Sequence, residues 1–294
     1  MKDGRISQTA LKIARMGVYF GLHPDFSPLL PAGMADTNRA LLTQLGLLKP
    51  WHVRTYRSRA FEVTVQATDR VFGPGYLVHF PLRKRLVDDQ VAAAVKRGAT
   101  QLLVLGAGLD SLAVRWADTH PDVLCVELDH PATGAPKRQA THDADLARDN
   151  LVQHAVDLSV VRLADALAQT PWDATQPSVI VAEGLLMYLP HDAVRALFTA
   201  VAGLSGPGSA FVFTWLPCDD QGQMDLDRVT QWGVKVVGEP IHFAIQPQRL
   251  GAFVAEHGWD LQPDVDLRAT YLTGTPLADT PLTFAERFSV ALRR

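Results

Sequence analysis

Gln101-Leu-Leu-Val-Leu-Gly-Ala-Gly-Leu-Asp110 decides the fold. Four apolar residues, Leu102 to Leu105, run straight into Gly106-Ala107-Gly108, and a helical stretch from Asp110 to Ala117 follows. Such a short run fits a strand buried on both faces, and the glycines let a ligand approach the backbone. The texture recurs downstream. Val123 to Asp129, Leu151 to Val156, Val179 to Ala182 and Gly208 to Trp215 are further strand candidates. Helical stretches at about 132–147, 160–167 and 191–204 separate them. Short apolar strands alternating with helices predict a doubly wound parallel sheet of the α/β class.

Working outward, residues 1–98 are mostly helical in pattern, broken by Pro24, Pro28, Pro31, Pro50 and a Gly73-Pro74-Gly75 turn. Leu86 to Val95 runs helically into Gly98 as a stop. Beyond Pro217, Gln246 to His257 is a helix candidate, and Glu286 to Leu292 alternates as a strand with one buried face. The expected division is a helical cap over 1–98 and a Rossmann-like domain over 99–294.

Composition narrows the functions. Of 294 residues, 47% are apolar and 20% charged, as in ordinary globular chains. Twenty-eight Lys and Arg against 31 Asp and Glu leave no basic footprint for a nucleic-acid partner. Cys125 and Cys218 are too few for a disulfide framework or a cysteine zinc site, and no metal is expected. No run approaches the ~18–20 apolar residues of a membrane span. Lys2, Arg5, Lys12 and Arg15 interleave with Leu11, Ile13 and Met16, an amphipathic helix rather than a signal peptide. A cytoplasmic setting is expected.

Ligands of open parallel sheets sit beyond the carboxyl ends of the strands. There the sequence places Gly106 and Gly108, then Asp129, Asp157 and Glu183, each after a separate strand. Asp129 follows Gly106 by 23 residues and suits a ribose diol, though Asp is also a good helix N-cap. Asp157, before Leu158-Ser159, carries the same two readings. Glu183, directly after four apolar residues, is harder to explain as surface. Three carboxylates suit an adenosine with positive charge nearby and do not suit a pyrophosphate.

Together, Gln101 to Asp110, Glu127-Leu-Asp-His-Pro131 with Lys137-Arg138, and Val181-Ala-Glu-Gly-Leu-Leu-Met-Tyr-Leu-Pro190 resemble the leucine carboxyl methyltransferase family. The likeness is nearest to its bacterial branch of S-adenosylmethionine-dependent methyltransferases. It runs from about Ser7 to Asp266 and is densest over 83–190. The resemblance implies a class I methyltransferase fold, with seven strands, the last antiparallel, and N-terminal helices over the site. It implies Gly106 against the cofactor, Asp129 on the ribose hydroxyls, Asp157 and Leu158 beside the adenine, and Glu183 near the methionine ammonium. The cofactor carboxylate falls to Arg83, with Arg85 as the alternative and Lys12 as an N-terminal contributor. Lys84 departs from the branch, which carries a small hydroxyl residue there, and Arg54 to Tyr76 shows no clear family pattern.

The expected reaction is methyl transfer to an oxygen of a small molecule, a carboxylate or a hydroxyl. A carboxylate is ionised at neutral pH and needs only a cation such as Arg57, Arg59 or the spare one of Arg83 and Arg85. A hydroxyl needs a base, for which His79, His130 and His242 are candidates. Tyr188, Trp215 and His242 are candidate acceptor contacts, each with an ordinary structural alternative. A nicotinamide oxidoreductase is the first alternative, but Ser111 stands where its fingerprint expects a third small glycine or alanine. A non-catalytic binding protein on the same fold is the second.

Overall fold

The computed structural model describes residues 6–72, 75–224, 241–282 and 286–294. Lys2, Arg5, Gly73 and Pro74 therefore lie outside the described residues. Among the described residues, five α-helices precede the sheet: α1 (Gln8–Gly21), α2 (Met34–Gln44), α3 (Pro50–Tyr56), α4 (Arg59–Phe72) and α5 (Tyr76–Lys96). Then strands and helices alternate: β1 (Gln101–Leu105), α6 (Leu112–Thr119), β2 (Leu124–Asp129), α7 (Pro131–Asp143), β3 (Leu151–Ala155), α8 (Leu163–Leu167), β4 (Ser178–Ala182), α9 (His191–Gly203) and β5 (Ala210–Trp215). The chain ends with α10 (Pro247–Glu256), β6 (Trp259–Leu261) and β7 (Arg287–Arg293).

The seven strands form one sheet in the order β3-β2-β1-β4-β5-β7-β6. The first five are parallel, and β7 pairs antiparallel with both β5 and β6. Strand order reverses between β1 and β4, so the binding crevice lies over their carboxyl ends.

The apolar runs divide with period two. Leu103, Leu105, Ile180, Ala182, Phe211 and Phe213 face the layer built with α9 and α10. Leu102, Val104, Val179, Val181, Ala210 and Val212 face α5 and α6, meeting Val87, Val91, Ala94 and Trp116. Thus α5, although it precedes the first strand, covers the sheet. Among the described residues, no helix is long and apolar enough to cross a membrane.

One expected helix starts late, and one strand has no counterpart among the expected elements. The helix expected from residue 160 begins only at Leu163, because the Asp157 carboxylate accepts from Ser159 N at 2.9 Å and holds a turn there. β6, three residues long, has no pattern of its own and forms by pairing with β7.

Beneath β2, Lys137 is 1% exposed. Its ammonium donates to Glu127 Oε1 at 2.8 Å, while Gln153 donates to Glu127 Oε2 at 2.8 Å. The pair ties α7, β2 and β3 together directly under Asp129. Removing one partner of a buried pair strands the other charge. Lys137→Met should lower unfolding free energy by about 3–5 kcal/mol in denaturant titration. The double variant Glu127→Leu/Lys137→Met should recover most of that loss. Equal losses in the single and double variants would contradict this account.

Candidate functional site

The chain leaves β1 through two left-handed glycines, Gly106 at φ +63° and Gly108 at φ +52°. A Cβ on Gly106 would meet Leu185 at 3.0 Å, and one on Gly108 would meet Ala10 of α1 at 3.1 Å. The left-handed conformation favours glycine at both positions, and these neighbours leave a side chain little room. The contact with Ala10 also shows that α1 passes over this end of the sheet. Ser7 N, the α1 N-cap, donates to Thr133 Oγ1 of α7 at 3.2 Å and fixes that crossing.

Asp129 closes β2 beside these glycines. Its Oδ2 is buried with no hydrogen-bond partner among the described residues. Burial pushes the carboxyl up to about 6, against the lowering influence of the His130 backbone N–H and Lys137. A buried acceptor without a donor is the feature a ribose diol would satisfy. The N-cap of α7 is instead His130, whose Nδ1 accepts from Ala132 N at 3.2 Å. Its Nε2 faces Asp157 Oδ2 at 3.6 Å. Asp157 is half-buried and spends Oδ1 on Ser159, whose hydroxyl and N–H hold this carboxyl below its ordinary range. Leu158 packs partly into the core.

Across the crevice, five charged groups interlock. Glu183 Oε1 lies 2.8 Å from Arg83 Nε and 2.7 Å from Lys84 Nζ. Lys84 also donates to Asp110, and Arg83 to Glu286. Asp110 in turn accepts from Leu112 N at 2.7 Å, capping α6. Burial opposes the charge on Asp110, but Lys84 outweighs it and holds the carboxyl far below the usual range. Lys84 is correspondingly raised by Asp110 and Glu183 against its burial. Arg85 points elsewhere, pairing with Asp89 at 3.1 Å one turn along α5.

Next to this cluster is a cavity of about 270 Å³. Its polar lining comprises His79, Arg83, Thr214, Asp264, Glu286 and Arg287, while Trp215, Leu250 and Phe288 are among its apolar walls. Trp215 Nε1 donates to Ser289 Oγ at 3.0 Å, which fixes the indole. Among the remaining candidates, His242 and Lys12 are exposed, and Tyr188 is half-buried in the turn after β4. None of these three lines the cavity.

Asp110 and Glu286 were not singled out from sequence, and Lys84 only as a departure. Asp110 sits beside the glycine turn, where a capping carboxylate was readable. Glu286 reaches the site only because antiparallel β7 starts at the carboxyl end of β5, with Arg287 opposite Trp215.

The sign of the pH response follows from Glu286. Burial would raise its carboxyl, but Arg83 and His79 outweigh that and bring it to about 2. A folded value below the unfolded ~4.3 contributes stability above ~4.3, and that contribution disappears as pH falls toward 2. Denaturant melts at stepped pH should show this decline in the parent. Glu286→Gln should make the decline shallower, leaving the part that Asp110 contributes, while lowering stability at pH 7. An unchanged slope would mean that the carboxylate is not held as described.

S-adenosylmethionine fits these residues. The orphaned Asp129 Oδ2 awaits hydroxyl donors, and Arg83 with Glu183 presents the two signs that a zwitterionic amino-acid end requires.

The leucine carboxyl methyltransferase family profile matches residues 37–202. A Mycobacterium marinum protein provisionally named an S-adenosyl-L-methionine-dependent methyltransferase is 33% identical over 213 residues, covering 68% of each chain. A Mycobacteroides abscessus protein of the same provisional name is 39% identical over 211 residues, covering 68% of this chain and 69% of its own. The match to a Mycolicibacterium gilvum relative spans 57% of that protein. In fold, the chain is similar to the crystal structure of a provisionally named methyltransferase from Thermobifida fusca. There the TM-score is 0.54 at 18% identity, over 87% of this chain and 94% of that one. The glycine turn, the row of strand-end carboxylates and these matches converge: the chain belongs to the leucine carboxyl methyltransferase family, and it is an S-adenosylmethionine-dependent methyltransferase.

Proposed function

We propose that this enzyme transfers the methyl group to an oxygen, carboxylate or hydroxyl, of a small molecule held in the 270 Å³ cavity. The observation that carries this reading is the shared wall. Arg83, which reaches Glu183 through Nε, also lines the cavity. A cofactor end held by Arg83 and Glu183 and an acceptor in the cavity are then neighbours. The cavity has room for a small molecule, and no surface for a protein partner is identified beside it among the described residues.

In this assignment Asp129 accepts from the ribose hydroxyls, and Asp157 with Leu158 flanks the adenine beside Gly106. Glu183 takes the ammonium and Arg83 the carboxylate, with Lys12 contributing from α1. When bound, S-adenosylmethionine supplies a methyl carbon activated by positive sulfur. The chain's own part is placement: holding donor and acceptor at attack distance can contribute up to about 7–11 kcal/mol of barrier lowering. Residues 1–98 act as the cover, through α1 over Gly108 and α5 over the sheet, on a cofactor-binding domain of 99–294. Residence in the cytoplasm completes the proposal.

Calorimetric titration with S-adenosylhomocysteine tests it, with one site per chain expected at micromolar affinity. A charged hydrogen bond contributes about 1.5–3 kcal/mol, so Asp129→Ala should weaken binding at least about tenfold. Only the ionised Asp129 accepts from both hydroxyls, so affinity should fall as pH drops through about 6. Asp129→Asn should remove that pH dependence. Unchanged affinity in Asp129→Ala would refute the ribose assignment, and no binding by folded protein would refute the function.

A further inference from the structure

His130 has a ring nitrogen that the capping of α7 does not use. Its Nδ1 accepts from Ala132 N at 3.2 Å, and that bond assigns the ring proton to Nε2. Nε2–H is therefore a donor, and it faces Asp157 Oδ2 at 3.6 Å. The separation is too long for the two to satisfy each other by a hydrogen bond.

Asp157 is held just as firmly. Its Oδ1 accepts from the N–H and the hydroxyl of Ser159, at 2.9 and 2.7 Å. The turn fixes the carboxylate and leaves Oδ2 as its spare acceptor. The two side chains are 30% and 36% exposed, so both open onto the crevice rather than into the core. Their backbones belong to one ladder, in which Val156 N donates to Asp129 O at 2.8 Å and Asp129 pairs with Ala155. The spacing of donor and acceptor is thus set by the β2–β3 pairing, by the α7 cap and by the Ser159 turn.

A fixed donor beside a fixed acceptor matches one edge of adenine, where the 6-amino donor adjoins a ring-nitrogen acceptor. Asn and Gln read adenine in nucleic acids with the same donor–acceptor pair. A 6-oxo purine would instead set its oxygen against the Asp157 carboxylate, a repulsive arrangement.

We propose that His130 reads the adenine of the cofactor: Nε2–H donates to the ring nitrogen next to the 6-amino group, while Asp157 Oδ2 accepts from that amino group. The proposal rests on the cofactor placement proposed above, with the ribose on Asp129 and the adenine beside Asp157 and Leu158, and it deepens that placement. Because His130 directly follows Asp129, ribose and base are then read from consecutive residues at the end of β2.

The test is calorimetry on the full chain with four ligands: S-adenosylhomocysteine, S-inosylhomocysteine, and the 1-deaza and 7-deaza forms of S-adenosylhomocysteine. Each deaza form lacks one of the two ring nitrogens that flank the 6-amino group. The parent should bind S-inosylhomocysteine about tenfold to a hundredfold more weakly than S-adenosylhomocysteine. One deaza form should bind about three- to tenfold more weakly, the value of one lost hydrogen bond. His130→Ser keeps an oxygen that caps α7 but ends short of Asp157. This variant should lose the same factor on S-adenosylhomocysteine and nothing further on that deaza form. A role confined to capping would weaken all four ligands alike and leave the deaza penalty in place.

A deaza penalty that survives in His130→Ser, or no penalty for either deaza form in the parent, would overturn this inference alone. Equal binding of S-inosylhomocysteine and S-adenosylhomocysteine would overturn it together with the adenine placement at Asp157. No binding of S-adenosylhomocysteine by folded protein would refute the methyl-transfer reading as well. His130→Asn, whose short amide also caps the helix, repeats the cycle if the serine variant does not fold.

Discussion

Two adjacent basic residues on α5, Arg83 and Lys84, hold the functional edge of this molecule together. Three carboxylates converge there from separate elements: Asp110 from the cap of α6, Glu183 from the end of β4 and Glu286 from the entry to β7. Without cations among them, three buried carboxylates would repel and largely take up protons. With Arg83 and Lys84 present they remain charged and become the means by which α5, the parallel strands and the returning antiparallel strand are registered against one another. Removal of either cation would leave a stranded buried charge, a heavier loss than that of any single apolar contact nearby. The position of α5 is doubly determined, by Val87, Val91 and Ala94 packed into the sheet and by these ion pairs at its other end.

The sequence was legible where one local pattern sufficed. Short continuous apolar runs alternating with helical stretches read as strands covered on both faces, and a glycine turn or an acid at their ends marked the carboxyl edge of the sheet. Gly106, Asp129 and Glu183 were visible for that reason. Arg83 and Arg85 were indistinguishable by sequence position. Helical periodicity separates them in space, sending Arg83 inward to Glu183 and Arg85 outward to Asp89. Lys84 stood out only as a departure, because its meaning depends on Asp110, which lies beyond β1.

The illegible parts depended on pairing between distant segments. Glu286 gained its place from the antiparallel register of β5 and β7, in which Phe288 lies opposite Thr214 and Arg287 opposite Trp215. Nothing near residue 286 announces that arrangement. β6 is similar, since three residues carry no period. The histidines were ambiguous for a different reason: each has a structural use available. His130 took one, capping α7, and His242 lies exposed, whereas His79 was sorted toward the cavity by the helix face it shares with Arg83.

The buried charge cluster also explains how such a site can stay folded before its ligand arrives. In the proposed assignment the cofactor's amino-acid end carries one carboxylate and one ammonium, the same two signs that Arg83 and Glu183 present to each other. Loading exchanges one set of ion pairs for another of equal charge, so neither residue is left unpaired in either state. The desolvation of Arg83 and Glu183 has already been incurred in folding, against compensating contacts from Lys84 and Glu286. Binding then has to desolvate mainly the ligand. Preorganisation of this kind shifts cost from association to folding, and in this chain the folding side is carried by two cations placed one residue apart on a single helix.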